Sequence, residues 1–328
     1  MSDDSVADLI DGVLAGKPRA IARAMSVAEG RSEKASELMA TLHRHAGSAH
    51  VIGLTGVPGS GKSTLVAALT RILRTQGKTV GIVAIDPSSP FSGGAILGDR
   101  VRMTGFADDD GVFIRSMATR GALGGLARAS LDIVDVLDAA GFDVVLIETV
   151  GVGQDEVDIV QAAHSVIVVS APGLGDEIQA IKAGVLEIAD IHVVSKCDRV
   201  DADKTVNELT AMLGLGRSGK NMGDKGKPKW QIPVISTSAE TGEGVEKLVE
   251  VIHNHYTHLE QTGEMQHRQR LILEMRIIKT AEDMLREKLL GERDGRLQEL
   301  LESAFKRDTD IRTAACDLLD AVNGKTES

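Results

Sequence analysis

Aromatic residues are almost missing from this chain: five Phe, one Trp and one Tyr among 328 residues. The interior must then be built from Val, Ile, Leu, Ala and Met, a composition that suits parallel strands covered by helices. Cysteine is nearly as scarce. Cys197 and Cys316 are too few and too far apart for a disulfide framework or a cysteine zinc site. No run reaches the roughly 20 apolar residues that cross a bilayer. The opening MSDDSVADLIDG has neither the apolar core of a secretory signal nor the arginines of a transit peptide. A cytoplasmic protein with no membrane partner is expected. Positive charge is in deficit as well: the formal net charge is −11, which argues against nucleic acid as a general partner.

What is present divides into three patterns. Residues 1–48 read as a helical region, with Leu9, Ile10, Val13 and Leu14 on one stripe and Ala20, Ile21 and Met25 on another. Residues 49–256 alternate short Val/Ile runs with amphipathic stretches. HVIGLT, TVGIVAID, FDVVLIETV, SVIVVSA, IHVVSK and PVISTSA predict about six strands with helices between them. The expected class is α/β, a mostly parallel sheet with helices on both faces. Residues 257–328 return to helical spacing, with Leu271, Met275, Ile278, Leu285 and Leu289 on one stripe. That stripe either packs on its own chain or forms a seam between two copies.

GVPGSGKST, residues 56–64, lies between a predicted strand and a predicted helix. Gly56, Gly61, Lys62 and Ser63 satisfy the spacing G-x-x-x-x-G-K-[ST] of a phosphate-binding P-loop. The glycines, with Val57, Pro58, Gly59, Ser60 and Thr64 around them, let backbone N–H groups turn toward a phosphate at the start of a helix. Lys62 reaches the β- and γ-phosphates, and the Ser63 hydroxyl is placed to ligate Mg²⁺. Acidic residues at strand ends supply the metal side. Asp86 closes TVGIVAID and Glu148 closes FDVVLIE, at the edge where such sheets bind ligands. A carboxylate ending an apolar strand is costly without compensation, and a cation or its waters provide it. Asp99, in GGAILGDR, is a third candidate, with a solvated loop carboxylate as the alternative.

Ser195-Lys196-Cys197-Asp198 follows the strand IHVV and resembles the NKxD element of GTPases, with Ser195 in place of Asn. A carboxylate only accepts hydrogen bonds. Asp198 therefore suits guanine, which offers N–H donors at that edge, and opposes adenine, while Lys196 lies along the base. Ser238 and Ala239, in STSA after the next strand, resemble the element that meets guanine through backbone N–H. Glu148-Thr149-Val150-Gly151 resembles the DxxG switch, with Gly151 facing the γ-phosphate. Gln154 is a weak candidate for orienting water.

GVPGSGKST, AIDPSSPFSGGAILGDR, RSMATRGALGGL and ETVGVGQDE together closely resemble the MeaB/ArgK-type P-loop GTPases, of the SIMIBI class. The resemblance implies a G domain flanked by a helical N-terminal region and a C-terminal dimerisation arm, hence a homodimer. It implies GTP/GDP and Mg²⁺ as cofactors, with Lys62, Asp86, Asp99 and Glu148 around the reacting phosphate. It implies slow GTP hydrolysis that gates adenosylcobalamin loading and protects or reactivates methylmalonyl-CoA mutase. Asp176, Gln179 and Lys182 match an additional switch linking nucleotide state to that partner. Another cobalamin acyl-CoA mutase as client, or a metallochaperone GTPase of the same branch, are the alternatives. His43, His45 and His50, and His253, His255 and His258, cluster without cysteine and read as solvated. GRSGKNMGDKGKPKW, residues 216–230, reads as a solvated loop.

Overall fold

A computed structural model describes residues 5–30, 32–86, 105–106, 108–118, 128–149, 158–173, 187–216, 228–291 and 295–324. They begin with three helices, α1 (Val6–Leu14), α2 (Pro18–Ala28) and α3 (Glu33–Leu42). Ser5 caps α1 reciprocally with Asp8, and Pro18 opens α2 where its missing N–H costs nothing. There follow β1 (His50–Thr55), α4 (Lys62–Thr75), β2 (Val80–Asp86), β3 (Val112–Ala118), α5 (Arg128–Ala139) and β4 (Val144–Glu148). The chain continues through β5 (Ser165–Ser170), β6 (Ile191–Val194), α6 (Ala202–Gly216), β7 (Val234–Ser236) and α7 (Val245–Thr262). It ends in α8 (Glu264–Gly291), α9 (Arg296–Phe305) and α10 (Ile311–Gly324).

The sheet runs β3-β2-β4-β1-β5-β6-β7, and every pairing is parallel. All seven strands therefore end at one edge. Alternation along each strand builds two cores. Val51, Val145, Ile147 and Val166 face one side with α5 and the N-terminal helices. Ile52, Leu54, Val144, Leu146 and Ile167 face the other, against Leu65 and Leu69 of α4 and Leu248 and Ile252 of α7. Each fully buried side chain of this size contributes roughly 1.5–3 kcal/mol.

The N-terminal helices are joined to this layer by polar contacts too. Asp138 of α5 accepts from the backbone N–H groups of Gly47, Ser48 and Ala49 at 2.7, 3.1 and 3.0 Å. The segment entering β1 is thereby held. Glu29, at the end of α2, pairs with Arg115 of β3.

Two compact units divide between Ile272 and Leu273. The first holds α1–α3 together with the sheet and its covering helices. The second comprises the rest of α8 with α9 and α10, in which Leu300 and Val322 are buried. No helix among the described residues is long and apolar enough to cross a membrane.

Candidate nucleotide-binding site

β1 ends at Thr55, and the loop 56–61 carries the chain directly into α4. Gly56 has φ +134° and packs so closely on β5 that an added Cβ would lie 2.1 Å from the Val169 carbonyl oxygen. Gly61, the N-cap of α4, has φ +87°, a region that residues with a Cβ avoid. Both glycines are required by geometry, and their spacing is what brings the loop back over the helix start. Lys62 is buried, and its Nζ donates to the carbonyls of Gly56 at 2.7 Å and Val57 at 3.0 Å. The ammonium group thus lies inside the curl of the loop. Val57, Pro58 and Gly59 form its outer rim, and Ser60 is buried beneath.

The acidic side comes from the neighbouring strand. Ser63, in the first turn of α4, donates its hydroxyl to Glu148 Oε1 at 2.5 Å. Glu148 is 7% exposed at the end of β4. These are two oxygen donors side by side next to Lys62, a pair suited to a hard divalent cation. Asp86 ends β2 at the same edge, its backbone in register with Ala118; its side chain is outside the description. Thr149 N–H donates to Leu54 O at 3.1 Å and the Thr149 hydroxyl meets that of Thr55 at 3.1 Å. The ends of β4 and β1 are thereby tied together.

The base-side elements also meet. Cys197 N–H donates to Thr237 O at 3.0 Å and Thr237 N–H to Val194 O at 2.9 Å, which joins the loops after β6 and β7. Asp198 is exposed, and a hydrogen bond from the Ser238 hydroxyl holds its carboxyl below the usual range. Ser238, buried beside it, and Ala239 lie in the turn that leads to α7. Lys196 has φ +55°, and its Nζ donates to Gly59 O at 2.8 Å, so it bridges the base loop and the phosphate loop. Lys62, Ser63, Glu148, Lys196, Asp198 and Ser238 therefore converge on one strand edge although 176 positions separate the first from the last. Asp99, Gly151, Gln154, Asp176, Gln179 and Lys182 lie outside the described residues.

A family model described as methylmalonyl-CoA mutase-associated GTPase MeaB matches residues 19–294. The chain belongs to the MeaB family of GTPases. A putative GTPase of Pyrococcus horikoshii is 42% identical over 318 residues, covering 97% of this chain and 98% of that protein. GTPase ArgK of Escherichia coli is 32% identical over 290 residues, covering 87% and 86%. A solved structure described as LAO/AO transport system kinase superposes with a TM-score of 0.69 at 25% identity, covering 98% of this chain and 99% of that one. The chain is thus a MeaB-family GTPase that takes guanine nucleotide, on the P-loop fold expected from its motifs.

One expectation is corrected away from this site. The histidines are not all solvated. His43, His45 and His253 are exposed, but His50 and His258 are half-buried and His255 is buried. Ser165 sits between His50 Nε2 and His255 Nδ1, 2.8 Å from each, and His255 Nε2 faces Asp190 at 3.4 Å. Arg268 clasps Asp190 through two hydrogen bonds of 2.6 and 2.8 Å. Burial alone raises the Asp190 carboxyl, but the bonds from Arg268 and His255 outweigh it and hold it well below the usual range. Burial keeps His50 and the neighbouring His164 neutral, His164 with its pKa lowered to about 4. This chain of contacts lies at the strand starts, opposite the nucleotide edge. Among the described residues no group of three His, Cys, Asp or Glu side chains could hold a metal ion.

Proposed function

We propose that this GTPase is the chaperone of an adenosylcobalamin-dependent methylmalonyl-CoA mutase, and that its GTP cycle gates cofactor loading and protects or reactivates that enzyme. The observation that carries this reading is the family match over residues 19–294, whose model is named for association with methylmalonyl-CoA mutase. A mouse protein named methylmalonic aciduria type A homolog, mitochondrial, 35% identical over 217 residues, 65% of this chain and 51% of its own, points the same way. The chain acts in the cytoplasm.

The residues at the strand edge account for the chemistry. The loop from Gly56 to Thr64 surrounds the phosphates, with Lys62 neutralising the β- and γ-oxygens and Gly151 sensing the γ-phosphate. Asp198 and the Lys196 stem hold the guanine, with Ser195 beneath them and Ser238 and Ala239 on its other edge. Ser63 and Glu148 would hold Mg²⁺, with Asp86 and Asp99 completing the acidic side. Mg²⁺, when bound, supplies charge neutralisation for the transferred phosphoryl group. Asp176, Gln179 and Lys182 couple turnover to the partner, since GTP and GDP must favour different states to transmit anything. The working unit is a homodimer. Of the stripe expected at the seam, Leu271, Met275, Ile278 and Leu285 are 45%, 37%, 53% and 40% exposed, apolar surface that a second copy covers.

Nucleotide-dependent association tests the reading. Mixed with the mutase from the same source, the chain is expected to co-elute under one nucleotide state, a non-hydrolysable GTP analogue or GDP, more than under the other. Lys182→Ala should weaken that difference. Equal elution as separate species in both states would remove the mutase as client.

A further inference from the structure

A cavity of about 580 Å³ opens at the strand starts, opposite the nucleotide edge, between α4 and α7. Its interior is apolar. Ile52 and Val144, near the starts of β1 and β4, meet Leu69 and Leu73 of α4 and Val249 and Ile252 of α7. A space of this size and lining suits a small organic molecule. Beyond the imidazoles of His50 and His253, the ionisable groups of its wall among the described residues are Lys78, Asp143, Glu250 and Tyr256. Lys78 is already paired with Asp143 at 3.3 Å, which leaves the Glu250 carboxylate uncompensated. Burial first, and then the charges of Glu260 and Asp138, push the Tyr256 phenol up. The surroundings therefore disfavour an anion and favour a cation.

His50 is oriented from behind by the buried polar chain. Asp190, whose charge Arg268 already matches, only accepts hydrogen bonds. His255 therefore turns its Nε2–H toward Asp190, and its Nδ1 accepts from the Ser165 hydroxyl. With that one proton spent, Ser165 accepts from His50 Nε2. The other nitrogen of a neutral imidazole is then a bare acceptor. His50 Nδ1 is thus left with a lone pair and no hydrogen-bond partner among the described residues. Ser165 is 0% exposed, so this Asp–His–Ser series cannot reach a substrate itself. Its effect is to fix the tautomer that His50 presents. The Tyr256 ring, 4.4 Å from that of His50, adds a π face that attracts a cation.

We propose that this cavity binds a small organic cation, an apolar body carrying a primary ammonium group. His50 Nδ1 accepts from the ammonium, Glu250 supplies the opposing charge, and the aliphatic wall covers the body. The site is separate from the nucleotide edge and does not depend on the nucleotide-site reading.

The test uses the full-length chain and phenethylamine as probe, with phenethyl alcohol and hydrocinnamate as neutral and anionic counterparts. An NMR titration is expected to show saturable binding of the amine with Kd on the order of 1 mM. The alcohol should bind about tenfold more weakly, and the carboxylate not at all. Glu250→Gln, at an exposed position, should weaken the amine about threefold and leave the alcohol unchanged. His50→Phe should weaken the amine about tenfold. If that variant does not fold, nitrogen NMR of the wild-type histidines carries the same test: the bare Nδ1 signal of His50 should move upfield when the amine is added. Saturating GDP with Mg²⁺ should leave the amine affinity unchanged, since the two sites lie at opposite edges. Equal binding of the three probes, displacement of the amine by GDP, or a His50 signal that the amine does not move would each overturn the proposal. So would the lack of saturable amine binding up to about 10 mM.

Discussion

As the proposed base-reading residue, Asp198 would select by what it cannot do: a carboxylate accepts and does not donate. Asp198→Asn converts one acceptor oxygen into a donor, and is expected to weaken GTP by an order of magnitude or more while favouring xanthosine triphosphate. Competition binding with both nucleotides checks it, and an unchanged preference would remove Asp198 from base recognition. Asp198 and Ser238 could be proposed from the sequence because they sit in contiguous motifs after apolar runs. Ser63 and Glu148 were legible for a related reason, each at a fixed place relative to a strand end, and the structure brings them within 2.5 Å. The Ser165–His255–Asp190–Arg268 chain was not legible, since its neighbouring members stand 90, 65 and 78 positions apart and only folding brings them together. His164, buried beside it, gives this region a pH signature. His164 has a folded pKa of about 4 against an ordinary 6.5, so the unfolded chain binds more protons between those values. Stability is therefore full above about pH 6.5 and falls as the pH drops toward 4, on the order of 3 kcal/mol from this residue. Asp190, with its carboxyl lowered, adds a loss in the same direction at lower pH. Urea denaturation at pH 7.5 and 5 should show the decrease, and equal midpoints would contradict the burial of a neutral His164.

Six of the seven strands were legible from Val/Ile runs bounded by turn residues. β3 was not: VFIRSMA places Arg115 and Ser116 in its middle, which breaks the apolar pattern. The structure shows why Arg115 is tolerated. β3 is an edge strand of the sheet, and Arg115 turns onto the face where α2 offers Glu29. A charged residue inside a strand was a tertiary contact seen from one side. Helix α8 poses the converse case, since its helical spacing was clear but the partner of its stripe was not. Replacing Ile278 and Leu285 together by Glu is expected to convert a dimer into monomers by putting charge into an apolar seam. Light scattering on wild type and variant measures it directly. Monomeric wild type at micromolar concentration would remove the dimer from the account.

For the molecule as a whole, the parallel order of the strands gathers what the sequence scatters. The phosphate loop after β1, Glu148 at the end of β4, Asp198 after β6 and Ser238 after β7 all stand at one edge because every strand runs the same way. That edge places the loop after β6 beside the phosphate loop, with Ser195 and Lys196 as direct links. The opposite edge carries the buried polar chain that anchors the start of α8 through Arg268. Fold class and nucleotide chemistry followed from motifs whose physical demands are local. Three things were beyond local pattern: the edge strand, the buried histidines and the hydroxyl of Ser195, each explained by a group far along the chain.

GTP hydrolysis by the purified protein, with and without a methylmalonyl-CoA mutase from the same source, tests the central claim most directly. Lys62→Ala serves as the control that should be silent in both conditions. The account predicts slow, GTP-specific turnover by the wild type alone and a several-fold rise when the mutase is added. Turnover that the mutase leaves unchanged would contradict the chaperone reading.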